Sequence, residues 1–201
     1  ALTAHRAVFS EGPVEGKTVL VAGGAGSVGR FAVQFAAWAG AHVIATVGSE
    51  EKAKIARDAG ADAVFLYSDP ELAEKIIDCA AVAPGGGVSH VAEVHFRDNI
   101  ALDAKVLKPN GSISLYGSSD DPDEHPAVPM RDLLRKGINV RWVMVYALEQ
   151  QPRAAALRDV ERAIIEGGIT PLVAARYRLD DLAQAMARVG VGGTGGKVLI
   201  D

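Results

Sequence analysis

The chain has 201 residues and a formal net charge of −4 at pH 7, and 49% of its residues are hydrophobic, which suits one globular domain with a buried core. The slight excess of acidic residues argues against an electrostatic surface for nucleic acid or anionic membrane, and no apolar stretch is long enough to span a bilayer. Cys79 is the only cysteine, which excludes an intrachain disulfide and a thiolate zinc cluster and favours a cytoplasmic location.

A glycine-spaced turn joins the first predicted strand to the helix that follows it. The strand is residues 18–21, the turn reads Gly23-x-x-Gly26-x-x-Gly29, and the helix covers residues 28–38. Glycine allows a tight reversal, lets phosphate oxygens approach the backbone and lets the helix pack against the strand. The helix N-terminus adds N–H donors and a partial positive charge. In this context the pattern predicts a site for the pyrophosphate of a dinucleotide.

Predicted strands and helices alternate through most of the chain. The strands are expected at residues 18–21, 41–47, 63–66, 88–94, 112–116 and 139–145, and the intervening helices at 28–38, 50–58, 69–82, 98–107, 130–136 and 152–166. This rhythm is typical of βαβ units. The predicted fold class is therefore α/β, a doubly wound parallel six-stranded Rossmann sheet in the order 3-2-1-4-5-6.

The two ends of the chain do not fit such a sheet. Residues 1–9 predict a helix without a polar lead-in, so we expect the chain to be a fragment of a longer protein. From Pro171 onward a strand-like stretch (173–179), a helical stretch (180–189) and a short strand (197–200) break the alternation. We therefore predict a dinucleotide-binding domain over residues 1–170 and a C-terminal return segment over residues 171–201.

The end of the second strand bears on which dinucleotide is bound. Sites that prefer NAD usually carry an acidic residue there, about twenty residues beyond the glycines, to hold the ribose 2′-hydroxyl. Residues 46–49 read Thr-Val-Gly-Ser, so no carboxylate at that point repels a 2′-phosphate. Ser49, at a helix N-terminus, and Lys52, one turn on, are placed to bind such a phosphate. From position alone, a solvated lysine beside two glutamates explains Lys52 equally well.

Six sequence motifs, taken in chain order, resemble the cofactor-binding domain of the medium-chain dehydrogenase/reductase superfamily, in its zinc-independent quinone oxidoreductase-like branch. The resemblance runs nearly end to end, and its motifs are specific when taken together and in order. They are Leu2-Thr-Ala-His-Arg-Ala7, Glu15-Gly-Lys-Thr-Val-Leu-Val-Ala-Gly-Gly-Ala-Gly-Ser-Val-Gly29, Gln34-Phe-Ala-Ala-Trp-Ala-Gly40, Lys52-x-x-x-Ala56 with Ala59-Gly-Ala-Asp62, Leu107-Lys-Pro-Asn-Gly111 ahead of Tyr116-Gly117, and Gly195-Gly-Lys-Val-Leu-Ile200.

The resemblance implies where NADP(H) would bind. It places the pyrophosphate over the turn from Gly23 to Gly29, and NADPH-binding members commonly use a lysine and a tyrosine, at the positions of Lys52 and Tyr67, around the 2′-phosphate. The turn after the fifth strand resembles a stretch that lies near the cofactor. The predicted cofactor-binding residues are Gly23, Gly26, Ser27, Val28, Gly29, Thr46, Ser49, Lys52, Tyr67, Gly117 and Ser118.

The resemblance also implies the reaction and the assembly. Hydride would pass from NADPH to a small-molecule quinone, enone or similar electron-poor acceptor without zinc, and we assign no catalytic residue and no metal ligand to this chain. Because family members carry an N-terminal catalytic domain to which the tail returns, we expect this chain alone to be inactive. Members often dimerise by pairing their sixth strands, so an apolar edge at residues 139–145 predicts a homodimer.

Other functions compete with this interpretation. A short-chain dehydrogenase requires Tyr-x-x-x-Lys, and none of the four tyrosines has a lysine four residues on. A methyltransferase is disfavoured because the second strand lacks a terminal acid to hold a ribose. A non-catalytic NADPH-binding sensor or structural module stays open. It predicts cofactor binding without hydride transfer, even by a full-length protein.

Overall fold

The computed structural model describes residues 1–117, 125–190 and 196–201. Its elements carry labels in chain order. The helices are α1 (Leu2–Phe9), α2 (Gly29–Trp38), α3 (Glu50–Asp58), α4 (Leu72–Val82), α5 (Phe96–Val106), α6 (Met130–Lys136), α7 (Gln150–Ile165) and α8 (Leu182–Gly190). The strands are β1 (Thr18–Ala22), β2 (His42–Val47), β3 (Ala63–Leu66), β4 (Val88–Glu93), β5 (Leu107–Leu115), β6 (Asn139–Trp142), β7 (Val173–Tyr177) and β8 (Lys197–Ile200).

The main sheet has the strand order β3-β2-β1-β4-β5-β6, and every neighbouring pair in it is parallel. This confirms the predicted Rossmann topology. The order reverses between β1 and β4, because the chain crosses from β3 at one edge back to the centre of the sheet through α4. In open α/β sheets such a reversal point, at the carboxyl ends of the strands, is where ligands bind.

Helices cover both faces of this sheet, and alternating side chains of each strand feed two separate cores. On β1, Val19 and Val21 belong to the core beneath α1, α2, α3 and α7. Leu20 points the other way, into the core beneath α4, α5 and α6. The central strands are therefore apolar on both faces, which is why residues 18–22 form a continuous buried run rather than an alternating one.

Some predicted boundaries are wrong. The sixth strand was expected over residues 139–145, but β6 ends at Trp142, because a 3₁₀ turn at Val145–Ala147 carries the chain away. The fifth strand was expected from residue 112, after a turn at residues 108–111, but β5 begins at Leu107 and includes those residues. A left-handed residue, Asn110 (φ 59°), and a shift of register against β4 between Val88 and His90 mark that turn inside the strand.

The tail forms its own small sheet. β7 and β8 pair in parallel with each other, and the six-stranded sheet includes neither of them. Thr170, just before the tail, is tied to α2 by the Arg30 guanidinium, which donates to its carbonyl, and by Gln34 Oε1, which accepts from its N–H at 3.3 Å. Among the residues that the structure describes, no helix combines the length and the apolar character needed to cross a membrane.

Candidate functional site

A cavity of about 680 Å³ opens at the carboxyl ends of β1 and β2, above the turn that leads into α2. It lies at the point where the strand order of the sheet reverses. It is lined by Gly23, Ala25, Gly26, Ser27, Val28, Gly29, Val47, Gly48, Ser49, Glu51, Lys52, Ile55, Tyr67, Val94, His95, Tyr116 and Gly196.

Two glycines of the turn are required by its geometry. Gly23 has a left-handed backbone (φ 66°), a conformation that residues with a Cβ rarely adopt. Gly29 begins α2, and a Cβ there would collide with the carbonyl oxygen of Gly23. The start of the helix therefore rests directly on the turn, at a separation that only glycine permits.

The backbone donors of this turn fit an anion. The N–H of Gly26 donates to the carbonyl oxygen of Gly23 at 2.8 Å. The N–H of Arg30 donates to the carbonyl oxygen of Gly26 at 2.9 Å. Between them, the N–H groups of Ser27, Val28 and Gly29 find no acceptor in the part of the chain that the structure describes. These residues line the cavity at the N-terminus of α2. Free amides beside a helix N-terminus are the donor set that a pyrophosphate requires.

The end of β2 and the start of α3 form the opposite wall of the cavity. Ser49 is the N-cap of α3, and its Oγ accepts from the N–H of Lys52 at 3.4 Å. Both residues line the cavity, and the Lys52 side chain is exposed. Glu51, which was not among the predicted site residues, lines the cavity as well. Hydrogen bonding from the Ser49 hydroxyl lowers the pKa of the Glu51 carboxyl, so a negative charge stands beside the lysine.

Tyr67 closes the cavity from the end of β3, above the glycine turn. Its hydroxyl oxygen lies 3.4 Å from the position that a Cβ on Gly23 would take, and its ring lies against Gly48. Burial raises the pKa of Tyr67, and the neighbouring Thr46 side chain offsets part of that rise. Thr46 itself is buried and does not line the cavity, so it supports the wall from behind rather than forming it.

A second cavity of about 740 Å³ lies beside the first, at the carboxyl ends of β4, β5 and β6. Val94, His95 and Tyr116 line both cavities and form the wall between them. The Tyr116 hydroxyl donates to the carbonyl of Ala22 at 3.4 Å, and burial raises the pKa of Tyr116. The second cavity is also lined by Phe96, Arg97, Asp98, Leu115, Gly117, Pro126, Trp142, Val143 and Met144.

The structure brings together most of the residues predicted to bind a cofactor. Eight of them line the first cavity: Gly23, Gly26, Ser27, Val28, Gly29, Ser49, Lys52 and Tyr67. Gly117 lines the second cavity instead, Thr46 lies behind the wall, and Ser118 falls outside the described residues.

Several lining residues were missed. Val94, His95 and Tyr116 follow the ends of β4 and β5, and the rule that ligands bind at the carboxyl ends of parallel strands was the signal that points to them. Gly196, in the tail, also lines this cavity, and no feature of the sequence predicts that it does. Within the described ranges, no group of three or more His, Cys, Asp or Glu side chains is arranged to hold a metal ion.

The amino-acid sequence matches one protein family and is similar to several characterised proteins. The pattern that defines the zinc-binding dehydrogenase family matches residues 27–162, which is more than half of the chain. A quinone oxidoreductase of Pongo abelii is 30% identical over an alignment that covers 98% of this chain and 59% of the relative. The chain thus spans about three fifths of the length of the quinone oxidoreductases of Pongo abelii and Homo sapiens that it matches.

Solved structures share the fold. A mycobacterial protein in complex with NADPH is 29% identical, with a TM-score of 0.82, and the match covers 100% of this chain and 61% of that one. An NAD-dependent alcohol dehydrogenase is 26% identical, with a TM-score of 0.83 and coverage of 98% and 55%. One of these neighbours is named for NADPH and the other for NAD.

Proposed function

Since the chain belongs to the medium-chain dehydrogenase/reductase superfamily, as a quinone oxidoreductase-like cofactor-binding domain, we propose that it binds NADPH and forms the cofactor half of a reductase. The observation that carries this proposal is the set of free amides at Ser27, Val28 and Gly29 at the reversal point of the sheet. The adenosine half and the pyrophosphate occupy the first cavity. The nicotinamide half reaches into the second.

The preference for NADPH rests on the end of β2. No carboxylate stands at residues 46–49, and Ser49 and Lys52 line the cavity where the ribose of the adenosine half would lie. Ser49 would donate its hydroxyl proton to a 2′-phosphate in exchange for its hydrogen bond to Glu51, and Lys52 would add a charge-assisted contact. Glu51 works against this preference, because its charge repels a phosphate and its carboxylate can accept from a ribose hydroxyl.

The test is a calorimetric titration with NADPH and NADH. In the wild type we expect tighter binding of NADPH. Lys52→Glu should lower the NADPH affinity by about tenfold or more and leave the NADH affinity within about twofold, because a charge-assisted contact to the phosphate becomes a repulsion. Lys54→Glu is the matched control, since Lys54 is exposed on the same helix, pairs with Asp58 and does not line the cavity. Equal wild-type affinities would refute the 2′-phosphate assignment.

When bound, NADPH supplies a hydride for an electron-poor acceptor such as a quinone or an enone. The residues of this chain would bind and orient the cofactor, and apolar side chains form part of the walls of the second cavity at the nicotinamide end. Phe96 and Trp142 contribute to those walls as a tilted aromatic pair with ring centres 5.6 Å apart. We propose a zinc-free reaction, with no catalytic residue supplied by this chain.

We propose that residues 171–201 pack on a catalytic domain that lies outside this sequence. Supporting this proposal, β7 and β8 form a separate sheet, and α8 exposes apolar side chains at Leu182, Met186 and Val189. Such a patch is typical of an interface. The isolated chain should therefore bind the cofactor and reduce little or no quinone. We further propose a homodimer through β6, which is an edge strand of the sheet.

A further inference from the structure

Two buried acids lie beneath the wall that separates the two cavities. Glu93 ends β4 and is 0% exposed, and Asp103 lies on α5 and is 1% exposed. The two carboxyl groups lie close enough to interact with each other. Within the described residues, Oδ2 of Asp103 is buried and has no donor. Because an ionised carboxylate without a donor is costly in the interior, Asp103 fits this place as a neutral acid that donates its proton to Glu93.

The Glu93 carboxylate holds the turn that follows β4. Its Oε1 accepts from the backbone N–H of Val94 at 2.6 Å and from that of His95, and the Asn99 side chain donates to both of its oxygens at 3.2 Å. His95 is the N-cap of α5 and makes no capping hydrogen bond through its own side chain. Glu93 therefore supplies the negative charge that a helix N-terminus favours.

This turn is the wall between the cavities. Val94 packs so closely on Gly117 that a Cβ on Gly117 would collide with the Val94 carbonyl oxygen. On its other side, Val94 Cγ1 lies 3.4 Å from the position that a Cβ on Gly23 would take. Val94 is thus packed between the glycine turn on one side and Gly117, just after β5, on the other. A dinucleotide that crosses from one cavity to the other passes this point.

The surroundings of Glu93 and Asp103 favour a state in which the two carboxyl groups hold one proton between them. Burial raises the pKa of Asp103 well above its ordinary value, and the charge of Glu93 adds to the rise. Burial also raises the pKa of Glu93, but the N–H donors around it oppose that change and favour its ionised form. The other titratable groups that face Glu93 are His95, Tyr67 and Tyr116.

We propose that Glu93, with Asp103 as its proton donor, is a positioning residue that sets the width of the passage between the two cavities and so controls the affinity for the nicotinamide half of the cofactor. This inference rests on the proposed function. It is separable from it, because the 2′-phosphate end of the cofactor would be held by Ser49 and Lys52 on the opposite wall of the first cavity, whereas this turn forms the wall toward the second cavity.

The test compares NADPH with adenosine 2′,5′-bisphosphate, which lacks the nicotinamide half, by calorimetry. Glu93→Ala should weaken NADPH binding by at least about tenfold and bisphosphate binding by less than about twofold. Asp103→Asn, whose amide donates as a neutral acid does, should bind both ligands like the wild type, whereas Asp103→Ala should behave like Glu93→Ala. Equal losses for both ligands in Glu93→Ala, or no loss for either, would overturn the proposal.

If Glu93→Ala does not fold, the proposal can still be tested by NMR spectroscopy of the Asp103 variants without ligand. The amide resonances of Val94 and His95 report on their hydrogen bonds to Glu93. They should keep their wild-type positions in Asp103→Asn and move in Asp103→Ala. Movement in neither variant, or equal movement in both, contradicts the role given to Asp103. Failure of the wild type to bind either ligand would instead count against the proposed function.

Discussion

The N–H of Gly24 donates a 3.1 Å hydrogen bond to the carbonyl of Thr46, so the glycine turn after β1 is fastened to the end of β2. The contact is close, because a Cβ on Gly24 would lie 2.7 Å from the Cβ of Ala45. The amides proposed to bind the pyrophosphate and the α3 residues proposed to bind the 2′-phosphate therefore sit on one connected backbone. Their separation is fixed before any ligand arrives, which is the preorganisation that affinity requires.

The first prediction concerns Gly29→Ala. The added Cβ would collide with the carbonyl oxygen of Gly23, so the start of α2 must move away from the turn. We expect a loss of about 1–3 kcal/mol in the free energy of unfolding, as for other overpacked sites, and a fall in NADPH affinity of at least about tenfold. Urea denaturation and calorimetry measure the two effects.

Gly190→Ala is the matched control for that variant. Gly190 ends α8, and among the residues that the structure describes no atom lies within 4 Å of the added Cβ. This variant should keep both the stability and the affinity of the wild type. If Gly29→Ala binds NADPH as tightly as Gly190→Ala does, the close packing of the helix on the turn has no part in binding.

The sequence was a good guide wherever local pattern decides structure. The glycine spacing correctly predicted the turn after β1. The bounds of α3, α6, β3 and β8 were also predicted without error. Apolar runs bounded by glycine or proline are strong signals because a parallel strand is buried on both faces. The order of the strands followed from the alternation of strands and helices together with the right-handed crossover rule.

The rest of the site depends on contacts between distant parts of the chain. Nothing near Glu93 in the sequence indicates that Asp103 is buried beside it, since the pairing depends on how α5 packs on β4. Gly196 reaches the first cavity only through the path of the tail. The end of β6 was mispredicted because Val143 and Val145 continue the apolar pattern after the chain has left the sheet.

A pH dependence is expected from His90, which bridges α1 to β4 and β5. Its Nε2–H donates to the Ala7 carbonyl at 2.6 Å, and its Nδ1 accepts from the Ser112 hydroxyl at 2.7 Å. This arrangement satisfies the neutral ring, and burial lowers the pKa of His90 in the folded protein. The unfolded chain therefore takes up a proton at a higher pH than the folded one. The contribution to stability is complete above about pH 6.5 and is lost as the pH falls toward the folded pKa.

His90→Gln tests that linkage. It should lower the free energy of unfolding at pH 7.5 by about 1–3 kcal/mol, because a buried hydrogen-bonded ring is replaced. It should also flatten the decline in stability between pH 7 and pH 5. His125→Gln, at an exposed position, should leave the decline unchanged. Parallel pH profiles for the wild type and His90→Gln would contradict the prediction. His5, whose pKa burial also lowers, accounts for a slope that remains.

Lys136 is expected to stabilise the end of α5. From α6 its ammonium group donates to the carbonyls of Ala104 at 2.7 Å, Lys105 at 2.9 Å and Leu107 at 2.7 Å. The carbonyls of Ala104 and Lys105 lie in the last turn of α5 and carry the partial negative charge of a helix C-terminus. Lys136→Met should cost about 1–3 kcal/mol of stability in chemical denaturation. Arg135→Met, at an exposed position on the same helix, should cost far less, and equal costs would show that the three carbonyl contacts are not needed.

The last prediction concerns the proposed homodimer through β6. The N–H of Val143 donates to the Leu115 carbonyl at 2.8 Å, so by the alternation of a strand the N–H of Val140 faces away from β5, toward the open edge. Val140→Pro removes that outward donor and leaves the bonds to β5 in place, and proline is tolerated on an edge strand. We expect light scattering at micromolar concentration to find the wild type and Val140→Ala dimeric and Val140→Pro monomeric. A monomeric wild type, or a proline variant that still dimerises, would exclude pairing through this edge.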